Sequence, residues 1–409
     1  MLYIFKKITL LFFVFLFCTG ITATAFASFN IGPLKIGGAI RANYVNGDYT
    51  ETGQDGPERG GNGGDMELDT FRVNLDYAKD AWVAKAEYRW YTGYNFLHTG
   101  WIGYNFSDTS QIQVGLNRVP FGVGAYGPAN SWFFDQHYYV GLADDMDVGV
   151  KYSTKRGHLS IDLAYYFRAE QSFNGDTAES ARYSYDIIDN GGEYSHYEER
   201  NQVNGRIIYS MSDIALPTDI GVSLQWGQLK ADEAFAEDSD AWAASVHSKS
   251  TLNNWTLMLQ LTQYNYNADY NAGTGLTNDL ITMGAFDFPW PVASEGLIPA
   301  VALSYTWKPP VDWIDSIKFY NDYSVILKDA TLPDGTDFND SAMNVTGMAI
   351  ASGGWYIYVD YAYSNGNYFV GNEGDSYGAD YASSSVGDFG ADLNDKWNGR
   401  FNINFGYYF

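Results

Sequence analysis

Residues 397–409 read WNGRFNINFGYYF. Phe401, Ile403, Phe405, Tyr407 and Phe409 share one parity, and Arg400, Asn402, Asn404, Gly406 and Tyr408 share the other. Side chains of a strand alternate between its faces, so this segment is a β-strand with one apolar and one polar face. The same period of two governs residues 70–77, where Phe71, Val73, Leu75 and Tyr77 alternate with Thr70, Arg72, Asn74 and Asp76. It recurs at 159–168, with Leu159, Ile161, Leu163, Tyr165 and Phe167 against Ser160, Asp162, Ala164, Tyr166 and Arg168. Further examples are 148–152, 203–209, 220–226, 255–264, 301–307, 317–325 and 355–363.

Between Leu34 and Phe409 the pattern yields about sixteen such segments, each near the 9–11 residues of a tilted strand crossing a bilayer. Their connections alternate in length. Short ones near 79–80, 107–109, 154–157, 252–254 and 353–354 alternate with long ones near 46–66, 122–145, 171–199, 268–295, 328–341 and 365–395. Two connections break the rule: a short turn near 92–95 on the long side, and a turn holding Pro309 and Pro310 on the short side. Short turns at one end and long loops at the other belong to outer-membrane barrels. Soluble β-sandwiches would also alternate, but a chain this long would need two of them and a linker, and no stretch has linker composition. The fold class expected is all-β: a transmembrane antiparallel β-barrel of about 16 strands with an inward-folded third loop.

Composition agrees. Aromatic residues make up 17% of the 409 residues and charged residues only 18%, too sticky for a disordered chain. The mean hydropathy of -0.26 is too polar for a helical membrane protein. With 24 Lys and Arg against 49 Asp and Glu, the formal net charge of -25 argues against nucleic acid as a partner. Trp82, Trp90, Trp226, Trp242, Trp255, Trp307, Trp355 and Trp397 fall at strand ends, where a barrel carries its aromatic girdles.

Residues 1–27 have the form of a signal peptide: Lys6 and Lys7, an apolar run from Ile8 to Cys18, and Ala25 and Ala27 flanking Phe26. Cleavage after Ala27 leaves a barrel domain, 28–409, without its single cysteine, so disulfides and thiol chemistry are not expected. Export to the Gram-negative outer membrane follows, with lipid and lipopolysaccharide as surroundings.

A barrel of 16 to 18 strands leaves an aqueous channel unless something enters it. The candidate constriction is 122–145, GVGAYGPANSWFFDQHYYVGLADD, which can wedge inward through Trp132, Phe133, Phe134, Tyr138 and Tyr139. By parity, Arg41, Arg72, Lys85, Arg89, Lys151, Arg168, Arg206, Lys318 and Arg400 face the lumen. Arg41, Arg72, Lys85, Arg89 and Arg400 form a pore-lining basic wall, joined by Arg118 if a bulge at Pro120 turns it inward. The constriction-loop acids Asp135, Asp144 and Asp145 would oppose them, giving a transverse field that orients hydrated solutes. The competing reading pairs the arginines with Asp76, Glu87 and Asp360. The acidic excess falls mainly in long loops, including Asp176, Glu179, Asp186, Asp189, Glu193, Glu198 and Glu199, and Asp334, Asp337 and Asp340. These read as solvated surface, or as carboxylates bridged to lipopolysaccharide by divalent cations.

No catalytic residue, cofactor or dedicated metal site is expected. Of the histidines only His247 faces inward, near Ser245 and Ser248, and the chain has neither a G-x-S-x-G elbow nor an H-E-x-x-H pair.

Signal peptide, strand number, inward third loop and terminal Phe409 together resemble the Gram-negative general porins. Residues 113–122, QVGLNRVPFG, resemble more narrowly the phosphate-selective porin O and P family, where a basic residue precedes V-P-F at the start of the third loop. The resemblance implies a homotrimer, recognition of the terminal aromatic by the barrel-insertion machinery, and passive diffusion of small hydrophilic solutes and ions, with an anion preference at the constriction. The acidic long loops depart from the lysine-rich ones of that family. The alternative is a structural or adhesive barrel, acting through its loops, with a closed lumen.

Overall fold

The computed structural model describes residues 28–47, 64–192, 195–331, 339–365, 367, 370 and 397–409. The expected leader at 1–27, the acids Asp334, Asp337 and Glu193, and most of the loops at 46–66 and 365–395 lie outside the described residues.

The chain alternates up and down through the wall. After the three-residue β1 (Phe29–Ile31), the first half runs β2 (Leu34–Gly47), β3 (Asp65–Lys79), β4 (Trp82–Trp90), β5 (Asn95–Ser107), β6 (Ser110–Arg118), β7 (Met146–Arg156) and β8 (Leu159–Ala169). A two-residue strand, β9 (Asp186–Ile187), lies inside. The wall resumes with β10 (Tyr197–Met211), β11 (Thr218–Ala231), β12 (Ser239–Leu252) and β13 (Trp255–Tyr266). Two more inner strands follow, β14 (Leu280–Ala285) and β15 (Phe288–Ala293). The last wall strands are β16 (Glu295–Trp307), β17 (Ser316–Lys328), β18 (Ser341–Ser352), β19 (Trp355–Asn365) and β20 (Asn398–Tyr408).

Sixteen strands therefore form the barrel, each antiparallel to its sequence neighbour in the wall. It closes where β2 meets β20, in register from Ala39↔Tyr408 to Gly47↔Arg400. Just beyond that register Gly38 and Phe409 exchange both backbone hydrogen bonds, at 2.9 and 3.0 Å. A Cβ on Gly38 would stand 2.3 Å from the Arg72 carbonyl oxygen and 2.7 Å from the Phe409 ring, so the seam needs glycine for space.

Polarity is inverted relative to a water-soluble protein. On β12 Val246 is 55% exposed while Ser245 and His247 are buried, and on β13 Leu259 and Leu261 point out while Gln260 and Thr262 are buried. An apolar outside and polar inside suit a wall surrounded by hydrocarbon. Trp82, Trp90, Trp226, Trp255 and Trp307 are exposed on this outer surface. The connection between β4 and β5 is the short turn anticipated near 92–95.

Among the described residues, three long connections enter the barrel over most of their length, where one was expected. Residues 119–145 fold inward as anticipated, around a single 3₁₀ turn, Tyr138–Val140. Residues 170–196 and 267–294 join them, and β15, β14 and β9 form a small separate sheet inside. The expectation that these two segments are solvated external loops is corrected. Their side chains decide it: Ile187, Leu280, Ile281, Met283, Trp290 and Val292 are buried in one cluster with Phe133, Tyr139, Val140 and Leu142 of the third loop. The sequence signal was LITMGAFDFPWPVA, residues 280–293, too apolar for a water-exposed loop.

Candidate functional site: the constriction

An irregular loop inside a barrel must find acceptors for its backbone N–H groups, because few are left to water. The wall supplies them. Gly122 N donates to Ser223 Oγ on β11 at 3.1 Å, and Val123 N to Gln260 Oε1 on β13 at 2.9 Å. Asn130 N and Ser131 N both donate to Asp322 Oδ2 on β17, at 2.6 and 2.8 Å. Trp132 N donates to Asp360 Oδ2 on β19 at 3.1 Å, and Gln136 N to Ser324 Oγ at 3.0 Å. His137 Nε2 lies 2.8 Å from Thr262 Oγ1. The loop is thus stitched along β11, β13, β17 and β19. Asp360 serves this purpose and accepts from the Tyr320 hydroxyl, so the expectation that it pairs with an arginine is corrected.

The arginines occupy the remaining arc, on β20, β2, β3 and β4. Arg41 pairs with Asp69 at 2.7 Å. Arg72 and Arg89 face each other across β3 and β4 and share Glu87, at 3.3 and 2.6 Å. Arg400 reaches the loop itself, its guanidinium 5.5 Å from the Phe133 ring centroid and 6.0 Å from that of Trp132. Lys85 stands apart, near the short-turn end, half exposed and 3.7 Å from Asp76. Parity missed Asp69 for an identifiable reason. The register slips between Arg41↔Thr70 and Ala42↔Leu68, so Asp69 is the extra residue of a bulge. The spacing of three between the exposed Leu68 and Phe71 was its trace in the sequence.

The three loop acids do not form one charged wall. Asp135 is buried within the loop's own turn and holds His137 Nδ1 at 2.5 Å, aiming that ring at Thr262. Asp144 pairs with Arg118, 2.6 Å from Nη2 and 2.7 Å from Nε. Asp145 is buried beside Asp147 and Asp186. The expected opposition of acids and arginines survives only at Asp144, directly with Arg118 and indirectly with Arg89. The Arg89 guanidinium lies 4.4 Å from the Tyr183 ring centroid, and the Tyr183 hydroxyl donates to Asp144 at 2.5 Å. Burial first, and the Asp144 carboxylate next, hold the Tyr183 hydroxyl well above its ordinary pKa, so it remains a donor.

Tyr183 belongs to an inserted segment, which explains why strand parity could not find it. Its neighbours Tyr185 and Phe286 come from the same source. Phe286 and Asp287 turn the β14–β15 hairpin, both with positive φ. Phe286 packs on Tyr91, Tyr94, Phe96, Tyr183 and Tyr185. Asp287 accepts from Asp176 N at 2.6 Å and Thr177 N at 2.7 Å, tying the second inserted segment to the first. Where the third loop passes this pair, Gly141 has a φ of 72°, and a Cβ there would lie 2.5 Å from the Tyr185 carbonyl oxygen.

No protein-family model matches the chain, and no curated protein matches it in sequence. Solved structures match its fold. The outer membrane channel DcaP of Acinetobacter baumannii aligns with a TM-score of 0.57 at 10% identity, covering 94% of this chain and 100% of that one. OmpF of Salmonella typhi, in complex with daunomycin, aligns at 0.56 and 13% identity over 92% of this chain and 97% of its own. OmpT, an outer membrane protein of Vibrio cholerae in a trimer form, aligns at 0.55 and 14% identity over 93% and 100%. At such low identity the likeness is one of fold: this chain shares its architecture with outer-membrane β-barrels, porins among them.

Proposed function

We propose that the chain is an outer-membrane porin, a passive channel for small hydrophilic solutes and ions. The observation that carries this reading is the stitching of residues 122–137 to β11, β13, β17 and β19. It commits the loop to one side of the lumen and leaves Arg41, Arg72 and Arg89 on the arc it does not line. The two further inserted segments favour a narrow, selective passage over a wide one. Residues 1–27 serve as the export signal, the barrel sits in the Gram-negative outer membrane, and the functional unit is a homotrimer, as the trimer form of the Vibrio OmpT suggests.

Selectivity leans toward anions. Among the described residues, Arg41, Arg72, Arg89 and Arg400 meet Asp69, Glu87 and Glu67 on that arc, and the lean rests on this concentration of guanidinium groups. Arg118, the residue that carries the resemblance to phosphate-selective porins, is engaged by Asp144, so the preference rests on the other four arginines. A hydrolytic reading lacks support: Ser245 Oγ and both ring nitrogens of His247 are buried without a hydrogen bond to one another. Planar-bilayer recording tests the proposal. Purified protein should give discrete conductance steps. Their absence would favour the barrel with a closed lumen, a reading that the apolar core of the three inserted segments supports.

A further inference from the structure

Beside the constriction lies a group of carboxylates with no part in lining it. One oxygen each from Asp145, Asp147 and Asp186 falls within 4.8 Å of the others. Asp145 ends the third loop, Asp147 opens β7, and Asp186 belongs to β9 in the first inserted segment. Glu170 and Glu199 stand close enough to act on Asp145 electrostatically. Arg182 reaches Asp186 at 3.1 Å and the Glu170 carbonyl at 3.0 Å. Arg168 also acts on Asp186. Five acids thus gather around two arginines, with Asp145, Asp147, Asp186 and Glu170 all more than nine-tenths buried.

Acidity alone would mean little. The second observation is that this pocket of oxygens is under-bonded. Asp145 Oδ1, Asp147 Oδ1 and Glu170 Oε2 are buried without any hydrogen-bond partner. Their sister oxygens show what partners are within reach: Gln202 Nε2 donates to Asp147 Oδ2 at 3.0 Å, and Ser184 N donates to Glu170 Oε1. Ile187 N donates to Glu199 Oε1 at 2.9 Å. Leaving charged oxygens buried and unmatched is strongly unfavourable, so native structures neutralise them.

We propose that Asp145, Asp147 and Asp186, with Glu170 and Glu199 around them, form a binding site for a divalent cation, Ca2+. The donor set is all oxygen, which suits a hard cation and excludes the nitrogen and sulfur chemistry typical of zinc. The spacing agrees. Ca2+ takes oxygens at about 2.3–2.6 Å, so two ligands on opposite sides of the ion stand roughly 5 Å apart. Mg2+ demands a tighter octahedron and keeps more of its water. The competing way to neutralise the cluster is protonation. Burial, followed by Asp147, Asp186, Glu199 and Glu170, holds the Asp145 carboxyl well above its usual range, and burial raises Asp186 to about 6 despite Arg182 and a hydrogen bond with the Asp145 carboxyl. Ca2+ satisfies the same oxygens and does more, because Asp145 and Asp147 lie where the third loop runs into β7 while Asp186 lies in the inserted sheet. Bound there, it clamps the end of the constriction loop to the inserted sheet and to the wall.

The test reads metal rather than current, so its outcome is separate from that of the channel reading. The purified, folded barrel is stripped with EDTA in detergent and titrated with Tb3+ while its aromatic residues are excited. Tyr166 and Tyr266 both lie within electrostatic reach of Asp145, near enough to sensitise a bound lanthanide. Wild type should show a saturable emission of one equivalent that Ca2+ displaces, and Ca2+ should raise its melting temperature. Asp145→Asn with Asp186→Asn should weaken that emission at least tenfold and abolish the Ca2+-dependent shift in melting. Glu233→Gln with Glu237→Gln, on an outer loop, should leave both unchanged. If the double variant fails to fold, the single Asp186→Asn carries the comparison. Emission that survives Asp145→Asn and Asp186→Asn, or is lost with the outer-loop pair, overturns the site. So does a wild type whose melting is indifferent to Ca2+ and EDTA, which would mean that protons neutralise the cluster.

Discussion

The carboxylate of Asp322 accepts both the backbone N–H of Asn130 at 2.6 Å and its side-chain amide at 2.9 Å, joining the third loop to β17 across the lumen. With Ser131 N as a third donor, this is the most heavily bonded anchor of the loop. Asp322→Ala leaves these donors unmatched, and each buried unmatched donor costs about 1–3 kcal/mol. The loop tip should detach while the wall stays intact. Faster hydrogen exchange at residues 130–136, with unchanged exchange in β17, and larger, noisier conductance steps are expected. Asp322→Asn, which keeps one acceptor oxygen, should fall between the two.

Tyr183 is the bridge between Arg89 and Asp144. Tyr183→Phe keeps the ring under the guanidinium and removes only the hydroxyl, so the loss is one hydrogen bond to a charged acceptor, about 1.5–3 kcal/mol. Exchange should quicken at residues 138–145 and 182–188 together. A change confined to one of these segments would show that they are not coupled through this contact.

Arg41→Ala combined with Arg72→Ala removes two positive charges from the arc opposite the loop anchors and leaves Asp69 with the Asn404 amide but without its ion-pair partner. The reversal potential in a salt gradient should move toward cation selectivity. Because short-range pairs are screened less than the open lumen, the shift should persist at moderately raised salt. An unmoved reversal potential would mean that these arginines only brace the wall.

Gly38→Val places a branched side chain where a Cβ already meets the Arg72 carbonyl oxygen and the Phe409 ring. The seam between β2 and β20 should open at that end. The variant should lose the difference in electrophoretic mobility between boiled and unboiled samples that marks a closed barrel. Gly32→Val, in the adjoining turn where a Cβ meets nothing within 4 Å, should weaken folding much less, its cost limited to a φ of 58°.

The wall was legible because parity is a complete statement about a strand: once Phe401, Ile403 and Phe405 are assigned outward, Arg400, Asn402 and Asn404 must point in. Parity also placed Arg41, Arg72 and Arg89 on the lumen side. It could not say which lumen group meets which. Asp360 faces inward as alternation requires, yet it bonds a loop backbone rather than an arginine, because the loop's N–H groups are spread along that side of the wall. Asp69 escaped because one bulge residue resets the count. Tyr183, Phe286 and Asp186 escaped because inserted segments have no fixed period, and their burial depends on segments distant in the sequence.

The bond between Gly38 and Phe409 also sets the order of events during assembly. The edge of β2 that faces β20 has no partner until β20 has been made and delivered. Closing a contact between two strands so distant in sequence is slow, since the strands between them must be gathered first. Until then the nascent sheet carries two open edges and an outward face of Leu, Val and Trp, a surface that invites association with other unfinished copies. The barrel therefore depends on being kept apart from its own kind until it reaches lipid. The pairing of β2 with β20 is the latch that ends this exposure.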